Sequence, residues 1–190
     1  MRWHRHVPRR IEERGFRVEK LASEHDLTSF ISSNSELTRY LKEDALEDQG
    51  NKTSATHLLL SRSDEVLGYF TLLTDSLRLE YATPEGPLQG YRYSSIPALK
   101  IARLSAGRGM ERRGLGTAML DLSFSYLFEI SNYAGCRVMT VDSKKGCEGF
   151  YEKYGFRRAN LRRRNTIPMY LDVKSFLESK DRSREFSRVA

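Results

Sequence analysis

"RRGLGTAMLDL", residues 112–122, sets two glycines two positions apart, behind two arginines, at the mouth of an apolar-periodic run. Glycine is a poor helix former, so a helix that opens on such residues needs a reason. The first turn of any helix leaves main-chain N–H groups unpaired, and the helix dipole places partial positive charge on them. Glycine lets an anion approach those groups closely, and flanking arginines add full charge. The stretch therefore reads as an anion cradle; an ordinary surface turn leading into a helix is the other reading of the same residues. No GxxxxGK[ST] or GxGxxG pattern is present, which removes the common nucleotide loops.

Working outward, "ALKIARLSAG" before the glycines reads as a strand. Ala118, Met119, Leu122, Tyr126 and Ile130 describe an amphipathic helix over Thr117 to Ile130. "CRVMTVDS" is a buried-strand run, "GCEGFYEKY" a short helix ended by Gly155, and "IPMYLDV" a last strand. Upstream, "THLLLSRSDEVLGYFTLLTDSLRL" reads as two strands around a polar turn at Arg62 to Glu65, and "YATPEGPLQGYRYSSIP" as a loop. A first helix is predicted from near Ser23, carrying Leu27, Phe30 and Ile31. A second is predicted after Ser35 as N-cap, with Leu37, Tyr40, Leu41, Ala45 and Leu46 at helical spacing and "GNKTS" as its end. Strand, helix and strand over Ala98 to Ser143 have the length of a right-handed parallel crossover. The fold class is thus α/β (α+β mixed): a mixed sheet with a central parallel β-α-β and helices on its faces.

Composition sets the frame. The chain has 190 residues, 39% hydrophobic and 30% charged, enough for one domain with a real core. We read 1–190 as a single domain, with 1–15 a basic arm and 174–190 a charged tail. No apolar run approaches the roughly 20 residues of a membrane span, and "MRWHRHVPRR" lacks the apolar stretch of a signal peptide. Two cysteines, Cys136 and Cys147, make no disulfide framework, and a reducing cytoplasm is the expected location. The two cysteines and His4, His6, His25 and His57 lack metal-ligand spacing, so no metal is expected. A net charge of +7 favours an anionic partner. The positive charge collects at Arg2, Arg5, Arg9 and Arg10, at Arg108, Arg112 and Arg113, and at Arg157, Arg158, Arg162, Arg163 and Arg164.

"ARLSAGRGMERRGLGTAMLDLSFSYL", followed by "RVMTVDS" and "GFYEKYGF", resembles the core of the GNAT family of N-acetyltransferases. More loosely, the likeness extends through "LTRYLKEDALEDQ" and "VLGYFTL" to most of the chain. That combination, with "ARLS" before the glycine loop and "FYEKYGF" after it, is similar to the acetyltransferase toxins of toxin–antitoxin modules. The resemblance implies a mainly antiparallel, twisted sheet. The resemblance implies that the family's Q/R-x-x-G-x-G/A loop, which binds the acetyl-CoA pyrophosphate, falls on Glu111, Arg112, Arg113, Gly114, Leu115 and Gly116, with Thr117 beside it. It implies that main-chain N–H groups around Leu104, Ser105 and Ala106 face the acetyl and pantetheine portion. It also puts Tyr151 where the family carries a tyrosine directed at the CoA sulfur, and a phenol of pKa about 10 stays protonated at neutral pH and can donate to a forming thiolate. Asp142 and His57 are the candidates for a base, although an aminoacyl α-amine can dispense with one.

By the same resemblance the acceptor is the α-amine of aminoacyl-tRNA, drawn to Arg157, Arg158, Arg162, Arg163 and Arg164. The partners are then a small antitoxin and a second copy of the chain in a homodimer. A small-molecule or protein amine is the alternative acceptor, and a non-catalytic nucleic-acid-binding relative the alternative class. One residue departs from the pattern. Glu111 stands where the family has Gln or Arg, and a carboxylate beside a diphosphate is unfavourable unless it turns away.

Overall fold

In a computed structural model the structure describes residues 15–178. The basic arm with Arg2, Arg5, Arg9 and Arg10, apart from residue 15, and the tail beyond residue 178 lie outside the described residues. Seven strands among those described form one sheet in the order β1-β2-β3-β4-β5-β7-β6. They are β1 (Arg17–Lys20), β2 (Ala55–Leu60), β3 (Val66–Arg78), β4 (Ser95–Ala106), β5 (Val138–Lys144), β6 (Arg157–Arg158) and β7 (Thr166–Asp172).

Pairing is antiparallel for β1 with β2, β2 with β3, β5 with β7 and β6 with β7. The end contacts give the other two directions. Gly107 N–H donates to Leu67 C=O at 2.8 Å and Leu79 N–H to Ser94 C=O at 2.8 Å, joining opposite ends of β3 and β4. Arg137 N–H donates to Pro97 C=O at 3.0 Å, start against start, so β4 and β5 run parallel. A parallel pair needs a long crossover, and α3 (Leu115–Ser131) supplies it. The mixed sheet read from the sequence is the one observed.

The described residues divide into two compact units, 15–73 with 101–129 and 74–100 with 130–178. In the first, Leu58, Leu60, Val66 and Tyr69 of the sheet pack with Leu21, Phe30, Tyr40, Leu41 and Ala45. Burying a leucine as fully as Leu41 or Leu58 contributes about 2 kcal/mol. The segment after β1 forms turns from Leu21 to Asn34, not the helix predicted from Ser23. The cause is local: Asp26 accepts from Thr28 N–H at 2.9 Å and from Thr28 Oγ1 at 2.6 Å, and His25 Nδ1 takes Ala22 N–H at 3.0 Å. Side chains that claim nearby main-chain donors compete with a helix.

The helix that does form begins one residue earlier than Ser35 as a cap would allow. Asn34, extended at φ −114°, ψ 114°, accepts from Glu36 N–H and is the N-cap of α1 (Ser35–Arg39). A π-helical turn at Tyr40–Asp44 joins it to α2 (Ala45–Gly50). On the other side of β2 and β3, His57 and Phe70 meet Tyr126 of α3.

In the second unit, Leu77, Ala82, Leu88, Ile96, Ala98, Val138 and Tyr170 form a core under the folded loop that follows β3. Tyr170 Oη donates to Thr83 Oγ1 at 2.9 Å and accepts from Thr83 N–H at 2.8 Å, fastening that loop to β7. The short helix α4 (Glu148–Glu152) follows β5. Strands β1 and β6 escaped the sequence reading: β1 is nearly all exposed and β6 has two arginines, so neither shows an apolar alternation. Residues 173–178 are helical, beginning one residue before the tail predicted from Lys174.

Candidate functional site

The predicted cofactor residues are contiguous on the first unit. Leu104, Ser105 and Ala106 close β4, with Ser105 buried and its neighbours half-buried. Ser105 Oγ donates to Ser32 Oγ at 2.7 Å. The chain then bends through a loop in which Gly109, Arg112 and Gly114 take left-handed φ of 79°, 60° and 83°. Left-handed residues turn neighbouring N–H groups toward one concave side, the geometry of an anion nest. At Arg112 this conformation costs energy that a glycine would not incur.

Helix α3 begins at Leu115, two residues before the Thr117 start predicted. Its first intrahelical bond runs from Ala118 N–H to Gly114 C=O at 3.0 Å, so the N–H groups of Leu115, Gly116 and Thr117 stand ahead of the ladder. Arg108, Arg112 and Arg113, in the loop that leads into the helix, are exposed. Over 17 residues α3 is long enough for its dipole to favour an anion at that end.

Glu111 does not oppose this arrangement. Its carboxylate accepts from Ser33 Oγ–H at 2.5 Å and from Gly109 N–H at 2.7 Å. The Ser33 bond first, then Glu111's own main-chain N–H and that of Gly109, hold its pKa below the ordinary carboxylate value.

The second unit holds the other predicted residues. Tyr151 lies on α4 with its ring buried, edge-on to Phe150 at 5.0 Å and Phe156 at 5.5 Å. Gly155, at φ 91°, turns the chain so that Phe156 N–H returns to Tyr151 C=O at 3.2 Å. Burial raises the phenol pKa well above its ordinary value, and the nearby Cys147 adds to the rise. A phenol so raised is neutral and a donor at any physiological pH.

Of the arginine group, Arg157 and Arg158 are exposed on β6, where Arg158 pairs with Glu152 at 3.0 Å. Arg162, Arg163 and Arg164 are exposed in the loop before β7. Arg163 reaches Asp142 at 3.4 Å, and Lys100 reaches the same carboxylate oxygen at 2.6 Å. One carboxylate shared by two cations leaves net positive charge there.

No protein-family profile matches the chain. Over 138 residues it is 24% identical to a tRNA-acetylating toxin of Mycobacterium tuberculosis (strain ATCC 25618 / H37Rv), covering 72% of this chain and 81% of that protein. The solved structure of AtaT complexed with acetyl-methionyl-tRNAfMet matches with a TM-score of 0.76 at 22% identity, over 84% of this chain and 96% of that one. A tyrosine-to-phenylalanine mutant of AtaT bound to acetyl-CoA and the C-terminus of the antitoxin AtaR matches with a TM-score of 0.68 at 20% identity, over 85% and 96%. The chain has the fold of these toxins.

Within that fold the two candidate bases have other occupations. His57 is buried on β2, stacked on Phe70 at 5.1 Å, with Tyr126 Oη at 3.1 Å from Nδ1. Burial, with a smaller push from Lys20, lowers its pKa to about 4. Asp142 is held by Lys100 and Arg163. Sequence reading missed Ser32, Ser33 and Lys100. Ser33 is 78 residues from Glu111 and Lys100 is 42 from Asp142, so no local pattern announces either pair.

Proposed function

We propose that the chain is an acetyl-CoA-dependent N-acetyltransferase whose acceptor is the α-amine of aminoacyl-tRNA, a single-domain toxin held in check by a small antitoxin. The observation that carries this reading is the start of α3, where three main-chain N–H groups precede the helix ladder behind a left-handed bend and three exposed arginines. Those donors fit a diphosphate and ask for no side chain that is missing. The M. tuberculosis relative and the AtaT complexes support the acceptor and the acyl donor in particular.

Acetyl-CoA supplies an activated thioester. In this reading the amides of Leu115, Gly116 and Thr117, with Glu111, Arg112, Arg113 and Gly114 shaping the approach, hold the diphosphate. Main-chain groups of Leu104, Ser105 and Ala106 bind the pantetheine arm as an added strand would. Tyr151 donates a proton at its Oη to the leaving sulfur; a buried neutral phenol is suited to giving a proton rather than taking one. The acceptor amine attacks in its free-base form, so neither His57 nor Asp142 is asked to act as base. Arg157, Arg158, Arg162, Arg163 and Arg164 draw the phosphates of the tRNA. The reading includes a cytoplasmic location and a homodimer.

The test is incubation with acetyl-CoA and charged total tRNA, followed by mass spectrometry of the aminoacyl ends. Acetylated aminoacyl groups are expected. Acetyl transfer to free amines with unmodified tRNA would move the assignment to a small-molecule or protein acceptor, and no thiol release with any amine would remove catalysis. In the same assay Tyr151→Phe should cut turnover by about a hundredfold or more with CoA still bound. Unchanged turnover would remove Tyr151 from the mechanism.

A further inference from the structure

Three consecutive residues ahead of α1 are bonded, one after another, to the candidate cofactor segment. Ile31 C=O accepts from Arg108 N–H at 2.7 Å. Ser32 Oγ accepts from Ser105 Oγ at 2.7 Å. Ser33 Oγ donates to Glu111, which also takes Gly109 N–H. Beneath them Phe30 lies under the bend, 3.7 Å from where a Cβ at Gly107 would stand. The next residue, Asn34, is the N-cap of α1. Residues 31–33 thus strap the end of β4 and the whole loop to the start of α1.

Glu111 is the outermost clasp of this strap. A carboxylate is an acceptor only, and two of its lone pairs are used here, one on a main-chain donor and one on a hydroxyl. An amide at this position could keep both contacts, accepting from one partner and donating to the other. An alanine would keep neither, and Gly109 in its left-handed turn would lose the side-chain acceptor that fixes it. The negative charge is therefore spent inside the loop, on the donors at Gly109 and Ser33, and not on the first-turn amides of α3.

We propose that Glu111 and Ser33 are positioning residues for the acyl donor: through Gly109 they hold the loop in the arrangement that leaves the first-turn amides of α3 open to the diphosphate. This inference rests on the acetyl-CoA reading above. Neither residue touches the reacting atoms, so their removal should weaken binding of the donor and leave the chemistry of the bound complex alone. A mobile loop must be ordered when the ligand arrives, and that ordering is charged against affinity.

The experiment compares wild type with Glu111→Ala, Ser33→Ala and the conservative pair Glu111→Gln and Ser33→Thr. It measures the Kd for CoA by calorimetry, KM and kcat for acetyl-CoA with a saturating acceptor, and the melting temperature without ligand. Both alanine variants should raise Kd and KM about fivefold or more, the scale of losing a charge-assisted hydrogen bond. Their kcat should stay within about twofold, and the conservative variants should return to within about threefold of wild type. Ligand-free melting should move by no more than about 2 °C, since the clasp is exposed.

Alanine variants that bind CoA like wild type, or more tightly, overturn the proposal. So does a fall in kcat at unchanged KM. Should Glu111→Ala fail to fold, Ser33→Ala carries the same decision, because it removes only an exposed hydroxyl. A wild-type chain that binds no CoA overturns the functional reading and this one with it. A wild type that binds CoA while the variants match it overturns the strap alone.

Discussion

Lowering the pH should loosen this protein through one buried imidazole, and the size of the effect follows from where His57 sits. The ring is 7% exposed, between Phe70 and Tyr126, and its Nδ1 faces Tyr126 Oη. Burial and Lys20 take its pKa from 6.5 to about 4 in the folded chain. Above pH 6.5 the ring is neutral folded and unfolded, and its contribution is fully present. As pH falls below 6.5 the unfolded ring takes a proton that the folded ring refuses, so stability drops until about pH 4 and then levels. The gap, at about 1.36 kcal/mol per pH unit, comes to ~3 kcal/mol.

His57→Phe keeps an aromatic ring in the stack and removes the titration. Urea unfolding of both proteins from pH 7.5 to 4, at constant ionic strength, should show the wild type losing about 3 kcal/mol relative to the variant across that window. Parallel stability profiles, or an imidazole resonance assigned to His57 that titrates near 6.5, would refute the assignment. Because Tyr126 belongs to α3, the same loss loosens the helix whose first turn opens the proposed diphosphate site.

Gly68→Ala places a Cβ 2.9 Å from Ser105 C=O and 3.3 Å from Ala106 Cα, main-chain atoms that cannot step aside. We expect a cost of about 1–3 kcal/mol by urea unfolding and weaker CoA binding by calorimetry; unchanged values in both would show that β3 and β4 are not so close. Asp172 is 1% exposed and bonded to Arg137 and Ser175. Burial pushes its pKa up, but the hydrogen bonds from Arg137 and Ser175 outweigh it and leave the value below the ordinary one, so this stability is present above the unfolded carboxylate range and fades as pH falls through the folded value. Asp172→Ala should cost about 2–4 kcal/mol at neutral pH, and a loss below ~0.5 kcal/mol in chemical unfolding would count against a structural pair. Arg163→Ala should lower the salt slope of charged-tRNA binding by about one, measured by filter binding across salt; an unaltered slope would take Arg163 off the phosphate path.

Much of the fold was legible because its signals are local. Apolar periodicity marked α3, β2, β5 and β7, and the glycines at 114 and 116 marked the start of α3. The reading failed where side chains compete with the main chain at short range. Leu27, Phe30 and Ile31 mimic a helical face, yet Asp26 and His25 hold that segment in turns, and Phe30 is buried from a loop. Strands β1 and β6 also stayed hidden, because an exposed strand takes its shape from the neighbour it pairs with.

Residue order alone determined the strand–helix–strand crossover, the polar turns and the position of the glycine bend, since each depends on the φ preferences and apolar spacing of adjacent residues. Only the folded chain decided that Glu111 spends its charge on Ser33 and Gly109, that Asp142 is shared by Lys100 and Arg163, and that the ring of Tyr151 is buried. The two ion-pair and hydrogen-bond clusters join residues far apart along the chain, which meet because the sheet and its connections bring them within hydrogen-bond reach. A side chain's charge is visible in a sequence, but the partner that neutralises it is chosen by proximity in space.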